Sequence, residues 1–155
     1  MKKSCILFLA IILLVSMTGC KDSAANDPVT LTMWHVYGSQ TESPLNDMID
    51  EFNRTRGKET GIVISVVSVT NSTAIDEALI SSAHNEPGAV PMPDLFTAYP
   101  RVAEEIGLER FLDWNEYLSE DEQSAFVDDF IAEGIMDGRL VMLPIAKSTE
   151  LLFLN

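Results

Sequence analysis

VTLTMWHVYGSQTESPLNDMIDEFNRTRGKETGIVISVVSV, residues 29–69, is the stretch on which the fold turns. Residues 29–35 interleave apolar side chains with Thr30 and Thr32 and end on Trp34 and His35, which is a strand pattern. Residues 38–42 then read as a loop. Ser43 followed by Pro44 predicts a helix start. The serine hydroxyl can cap a free N–H of the first turn, and proline suits the first helical position. Leu45, Met48, Ile49 and Phe52 recur at i, i+3, i+4 and i+7 and form one apolar face, with Asp47, Asp50 and Glu51 on the others. Arg54 and Arg56 fall near the helix C-terminus, where the dipole favours cations, and Gly57 and Gly61 are expected to mark its exit. Residues 62–69 are β-branched almost throughout, which predicts a strand covered on both faces.

Downstream the alternation continues. A second helix is expected from Ser72 or Thr73 to Ala83, with Ile75, Leu79 and Ile80 turned inward. Residues 86–93 hold three prolines and Gly88 and must be a loop. A short third strand over 94–98 follows, then helical segments through Ile106 and around 112–118. Ser119 with Glu122 three residues on is a capping box, predicted to open a helix carrying Phe126, Val127, Phe130 and Ile131 on one face. Asp137-Gly138 is a tight turn into residues 139–143. Strands alternating with helices imply right-handed crossovers: an α/β fold with a largely parallel sheet and helices on both faces.

Upstream, Lys2 and Lys3 precede an uncharged apolar run over 5–15. That run is shorter than the roughly 20 apolar residues of a membrane-spanning helix and reads as a signal peptide. Thr18-Gly19-Cys20 resembles the bacterial lipobox, with Met17 where leucine is usual. This implies removal of residues 1–19 and lipidation of Cys20. The lipid anchor would hold the chain at the cell membrane on its extracytoplasmic side. The polar residues 20–28 would form a flexible tether. Cys5 leaves with the signal peptide, so no disulfide is expected.

Ten basic against 24 acidic side chains give a net charge of −14 over 155 residues. Phosphate contacts need clustered Lys and Arg, so no nucleic-acid partner is expected, nor adhesion to anionic lipid through a basic face. Twelve acids lie between Glu104 and Asp137 with Arg110 as the one base, which reads as a solvated helical surface. An apolar share of 46% is enough for a packed core.

Motifs for catalysis are missing. There is no phosphate-cradling G-x-x-x-x-G-K-[ST] loop, no G-x-G-x-x-G and no G-x-S-x-G elbow. His35 and His84 are the only histidines and lie on different elements. With Cys20 lipidated, a zinc site lacks ligands. Carboxylates are numerous, but no spacing singles out an acid/base pair for a hydrolase. The expectation is a protein that is not an enzyme and carries no cofactor and no metal.

In an open α/β sheet, ligands bind beyond the carboxyl ends of the strands where strand order reverses. With order 2-1-3 that point lies between the first and third strands. The loop Trp34-His35-Val36-Tyr37-Gly38-Ser39 would face Ala98-Tyr99-Pro100 there. Three aromatic rings, an imidazole and a glycine suit a polar, ring-bearing ligand such as a sugar. Trp34 has a competing reading as a core plug and Tyr37 as a surface ring.

Lipobox, LTMWH, Gly38, an amphipathic helix ending in DEFN and an Ile/Val strand together resemble extracellular solute-binding proteins of family 1. Pro93-Asp94-Leu95-Phe96 is similar to that family's third strand. Gly138-Arg139-Leu140 through Pro144, then residues 148–155 (STELLFLN), resemble its passage toward a second lobe. The resemblance implies a periplasmic-binding-protein-like (type II) lobe over residues 29–155, with the second lobe missing and the sequence a fragment. It implies a substrate-binding component of an ABC importer, which captures a carbohydrate or related polyol and delivers it to permease subunits. It places ligand contacts at Trp34, His35, Gly38, Asn71, Ser72, Tyr99, Ser148 and Thr149. Within the family the glycerol-phosphate-binding group is nearest. Its acid after the strand-three tyrosine is Pro100 here, and its aromatic near Ser72 is absent, so a sugar or oligosaccharide is the broader expectation. The alternative is a truncated, non-transporting surface lipoprotein with a structural or protein-interaction role.

Overall fold

The computed structural model describes residues 27–39 and 42–147; the expected signal peptide, Cys20, Ser148 and Thr149 lie outside them. Strand β1 (Val29–His35) leads through a single 3-10 turn to helices α1 (Pro44–Arg54) and α2 (Arg56–Thr60), then to strand β2 (Ile62–Ser68). Helix α3 (Ser72–Ala83), strand β3 (Leu95–Phe96) and helix α4 (Pro100–Ile106) complete the sheet unit. Two short helices, α5 (Glu120–Gln123) and α6 (Asp128–Ala132), precede the pair β4 (Ile135–Met136) and β5 (Arg139–Leu140). The main sheet is parallel, as expected from the crossovers, and its order is β2-β1-β3.

Local chemistry accounts for the first crossover. The Ser43 side chain accepts from the Asn46 N–H and Pro44 occupies the first turn of α1. The Asn53 amide both donates to the Ile64 carbonyl at 2.9 Å and accepts from its N–H at 2.8 Å, closing the open edge of β2. Gly57 is not the exit that its type predicted. It lies within α2, where an added Cβ would meet the Ile62 carbonyl oxygen at 2.5 Å, so it lets the helix press against β2. The turn out belongs to Gly61, which has a left-handed φ of 72°.

The core lies on one side of the sheet. Trp34 packs there with Ile75, Leu79 and Ala83 of α3 and with Val102 and Ile106 of α4. Met33 projects the other way and is also buried, as is Ile49 of α1. Strand β2 departs from the expectation of two covered faces. Register places Val63 and Val67 on the Trp34 side, yet they remain 37% and 45% exposed. The apolar cluster gathers on Trp34, at the centre of the sheet, and leaves this edge strand half open.

Strand β3 is only two residues long. Pro93 cannot donate to a ladder, and Pro100 begins the next helix. Asp94 extends the pairing with its side chain, accepting from the Thr32 N–H at 2.8 Å. The capping box forms, with Glu122 Oε2 accepting from both the N–H and the hydroxyl of Ser119, but the expected single helix breaks in two. Ser124 turns its hydroxyl back to the Asp121 carbonyl, and Asp128 with Asp129 opens a new first turn. Val127 and Phe130 are consequently exposed. Asp137 and Gly138 have φ of 49° and 76°, the mirror-image turn that suits a two-residue hairpin.

Candidate functional site

A groove of about 1460 Å³ opens at the carboxyl ends of β1 and β3 and runs along the outer side of β3. It is open to solvent and exceeds the roughly 300–1,000 Å³ of most small-molecule pockets. Its lining includes Tyr37, Ser72, Asp76, Thr97 and Tyr99, together with Phe130, Glu133 and residues 141–147.

The loop after β1 sorts its side chains by burial. Trp34 is 7% exposed and belongs to the core cluster, and His35 is completely buried. The His35 Nδ1 accepts from the Tyr37 N–H at 3.1 Å, and its buried Nε2 has no hydrogen-bond partner among the described residues. The Tyr37 ring stacks on this imidazole with centroids 6.1 Å apart, and it is Tyr37 that reaches the groove. Gly38 answers a steric demand, since an added Cβ would lie 1.7 Å from Ser68 Oγ.

At the start of α3, the Asn71 side chain accepts from the Ala74 N–H at 3.0 Å, so its oxygen is committed to the cap. Ser72, the next residue, lines the groove. Tyr99, at 59% exposure, stands at the N-cap of α4 and lines it too. Of the eight residues expected at a ligand site, the structure therefore brings Ser72 and Tyr99 to the groove wall. It buries Trp34 and His35 in the interior, packs Gly38 against Ser68 and leaves Asn71 exposed at the cap of α3; none of these four lines the groove. Ser148 and Thr149 lie outside the described residues, which end at the groove-lining Lys147.

Asp76 was missed from the sequence. It is 4% exposed, lines the groove, and its Oδ2 accepts from the Arg101 guanidinium at 2.5 Å. Burial pushes this carboxyl above its ordinary pKa; Arg101 works against that shift and Glu105 adds to it. Its Oδ1 has no hydrogen-bond partner among the described residues, and neither does the buried Thr97 Oγ1. A signal existed: Asp76 stands three residues before Leu79 and seven before Ala83, on the inward stripe of α3. An acid on an apolar stripe marks a carboxylate held out of solvent.

Chemically, the groove offers ring faces from Tyr37, Tyr99 and Phe130, hydroxyls from Ser72 and Thr97, and one buried carboxylate. The Lys147 ammonium pairs with Glu133 and lies 5.6 Å from the Phe130 ring centroid. Among the described residues, no group of three or more His, Cys, Asp or Glu side chains is placed to hold a metal ion. No helix among them is long and apolar enough to cross a membrane.

No protein-family model and no curated protein matches the chain. Among solved structures, it is similar to the cyclic alpha-maltosyl-1,6-maltose binding protein from Arthrobacter globiformis, with a TM-score of 0.57 and 24% identity. The match covers 74% of this chain and 27% of that protein, so the chain spans about a quarter of that protein's length. What the likeness establishes is the fold: a mixed α/β unit with a parallel three-stranded sheet, shared with part of a solute-binding protein.

Proposed function

We propose that the chain belongs to the substrate-binding component of an ABC-type importer and captures a carbohydrate outside the cytoplasmic membrane. The observation that carries this reading is the trench at the carboxyl ends of β1 and β3, where exposed aromatic rings stand beside hydroxyls and a buried carboxylate. Apolar sugar faces stack on such rings while their hydroxyls take hydrogen bonds. The fold likeness to a protein that binds a cyclic maltosyl-maltose supports the same class of ligand. On this reading residues 29–155 contribute the first of two lobes that close on the ligand by a hinge motion, which permease subunits would read. Lipidated Cys20, with residues 20–28 as tether, would hold the receptor at the membrane surface.

Isothermal titration of the chain with cyclic maltosyl-maltose and linear maltooligosaccharides tests the reading. Saturable binding is expected, weakened about tenfold by Tyr99→Ala through loss of the stacking face. Absence of heat and of thermal shift across the whole sugar panel would overturn it. Palmitate labelling that persists in Cys20→Ser would remove the anchor from the proposal.

A further inference from the structure

We propose that Asp76 is a ligand-anchoring residue of the groove, its free carboxylate oxygen accepting hydrogen bonds from sugar hydroxyls, with Arg101 as the residue that positions it. The inference rests on the carbohydrate reading above and adds to it a residue that no strand-end loop supplies. The Asp76 side chain is 6% exposed whereas that of Arg101 is 64% exposed, so the arginine reaches from the surface to hold a buried anion. Only Oδ2 is held. Oδ1 is buried, unpartnered among the described residues, and borne by a residue of the groove wall.

A buried carboxylate oxygen without a donor is costly, and the cost falls away when a donor arrives. A hydroxyl is the donor that fits. Hydroxyl-to-carboxylate bonds are short and strong, and a carboxylate oxygen can accept two of them, as adjacent hydroxyls on a sugar ring require. An anionic ligand would instead meet repulsion at this point. The groove-lining cations offer it little: Arg110 is turned to the Ala83 carbonyl at 2.8 Å, and Lys147 pairs with Glu133. Arg101 restricts the carboxylate to one rotamer through a guanidinium contact, which pre-organises Oδ1 before the ligand arrives.

Titration calorimetry with maltotetraose and with glucose 1-phosphate, on the wild-type chain and three variants, tests this. Asp76→Asn is expected to weaken maltotetraose at least tenfold and to leave the weak binding of glucose 1-phosphate unchanged or improved. Arg101→Gln, a substitution at an exposed side chain, covers the case in which Asp76→Asn does not fold. It is expected to weaken maltotetraose several-fold, with Arg101→Lys restoring part of the loss. Wild-type affinity for maltotetraose in both Asp76→Asn and Arg101→Gln would overturn the assignment and leave the carbohydrate reading standing. A wild-type chain that binds no sugar at all would overturn both.

Discussion

Gly38 lies against Ser68 so closely that a methyl group built on the glycine would sit 1.7 Å from the serine Oγ and 2.6 Å from its Cβ. The loop leaving β1 is thereby pressed onto the end of β2, next to the buried His35 ring. Gly38→Ala is expected to destabilise the fold by about 1–3 kcal/mol, the usual cost of overpacking. The double variant Gly38→Ala with Ser68→Gly should recover most of it. Chemical denaturation of the four members of the cycle checks this, and additive losses would show that the contact is not the cause.

Asp76 predicts a pH dependence. Its pKa is raised in the folded state, chiefly by burial, so the folded chain binds this proton more tightly than the unfolded chain. The associated stability is present below the ordinary aspartate pKa and is lost as pH rises through the higher folded value. Denaturation midpoints measured across that acidic window should fall with rising pH at this site, and Asp76→Asn should remove that component of the slope.

Glu122 has the opposite sign. Hydrogen bonds from the Ser119 backbone and side chain hold its carboxyl below the ordinary glutamate range. The stabilisation is present above the unfolded pKa and disappears as pH falls through the lower folded one. A carboxyl titration followed by NMR should find Glu122 below the ordinary glutamate pKa. Ser119→Ala removes the hydroxyl and should move it part of the way upward, and no movement would assign the whole effect to the Ser119 backbone N–H.

Arg139 is the tie between the hairpin and the loop before it. Its guanidinium donates to the Leu108 and Phe111 carbonyls at 2.7 Å each and faces Asp113, which also accepts from the Leu140 N–H. Arg139→Ala is expected to cost about 2 kcal/mol, since it strips donors from two carbonyls at once. Arg139→Lys should recover less than half of that, because an ammonium cannot fork to both. Thermal melts of the two variants give the comparison.

Much of the fold was legible because its causes are local. The caps at Ser43 and Ser119, the apolar face around Ile49 and the Asp137-Gly138 turn each depend on a few adjacent residues. That the strands run parallel follows from alternating elements and short crossovers, whereas the order β2-β1-β3 is set by packing. The break after Gln123 was not legible, because a box that starts a helix says nothing of how far it runs. Nor was the exposure of Val63 and Val67, since β-branched composition reports strand preference and not what lies over the strand.

The candidate site divides the same way. Sequence alone determined that the loops after β1 and β3 carry aromatic residues, while their meeting depends on the strand order that the fold adopts. Only the tertiary structure decided which side chains face the groove. Alternation along β1 sends Met33 and Trp34 to opposite faces, and both faces are covered, so Trp34 and His35 vanish into packing while Tyr37 emerges. Asp76 and Arg101 stand 25 residues apart, on two helices that tertiary packing brings together. Burial and pairing across that distance are properties of the packed chain, and they are what turned an unremarked aspartate into the one buried carboxylate on the groove wall among the described residues.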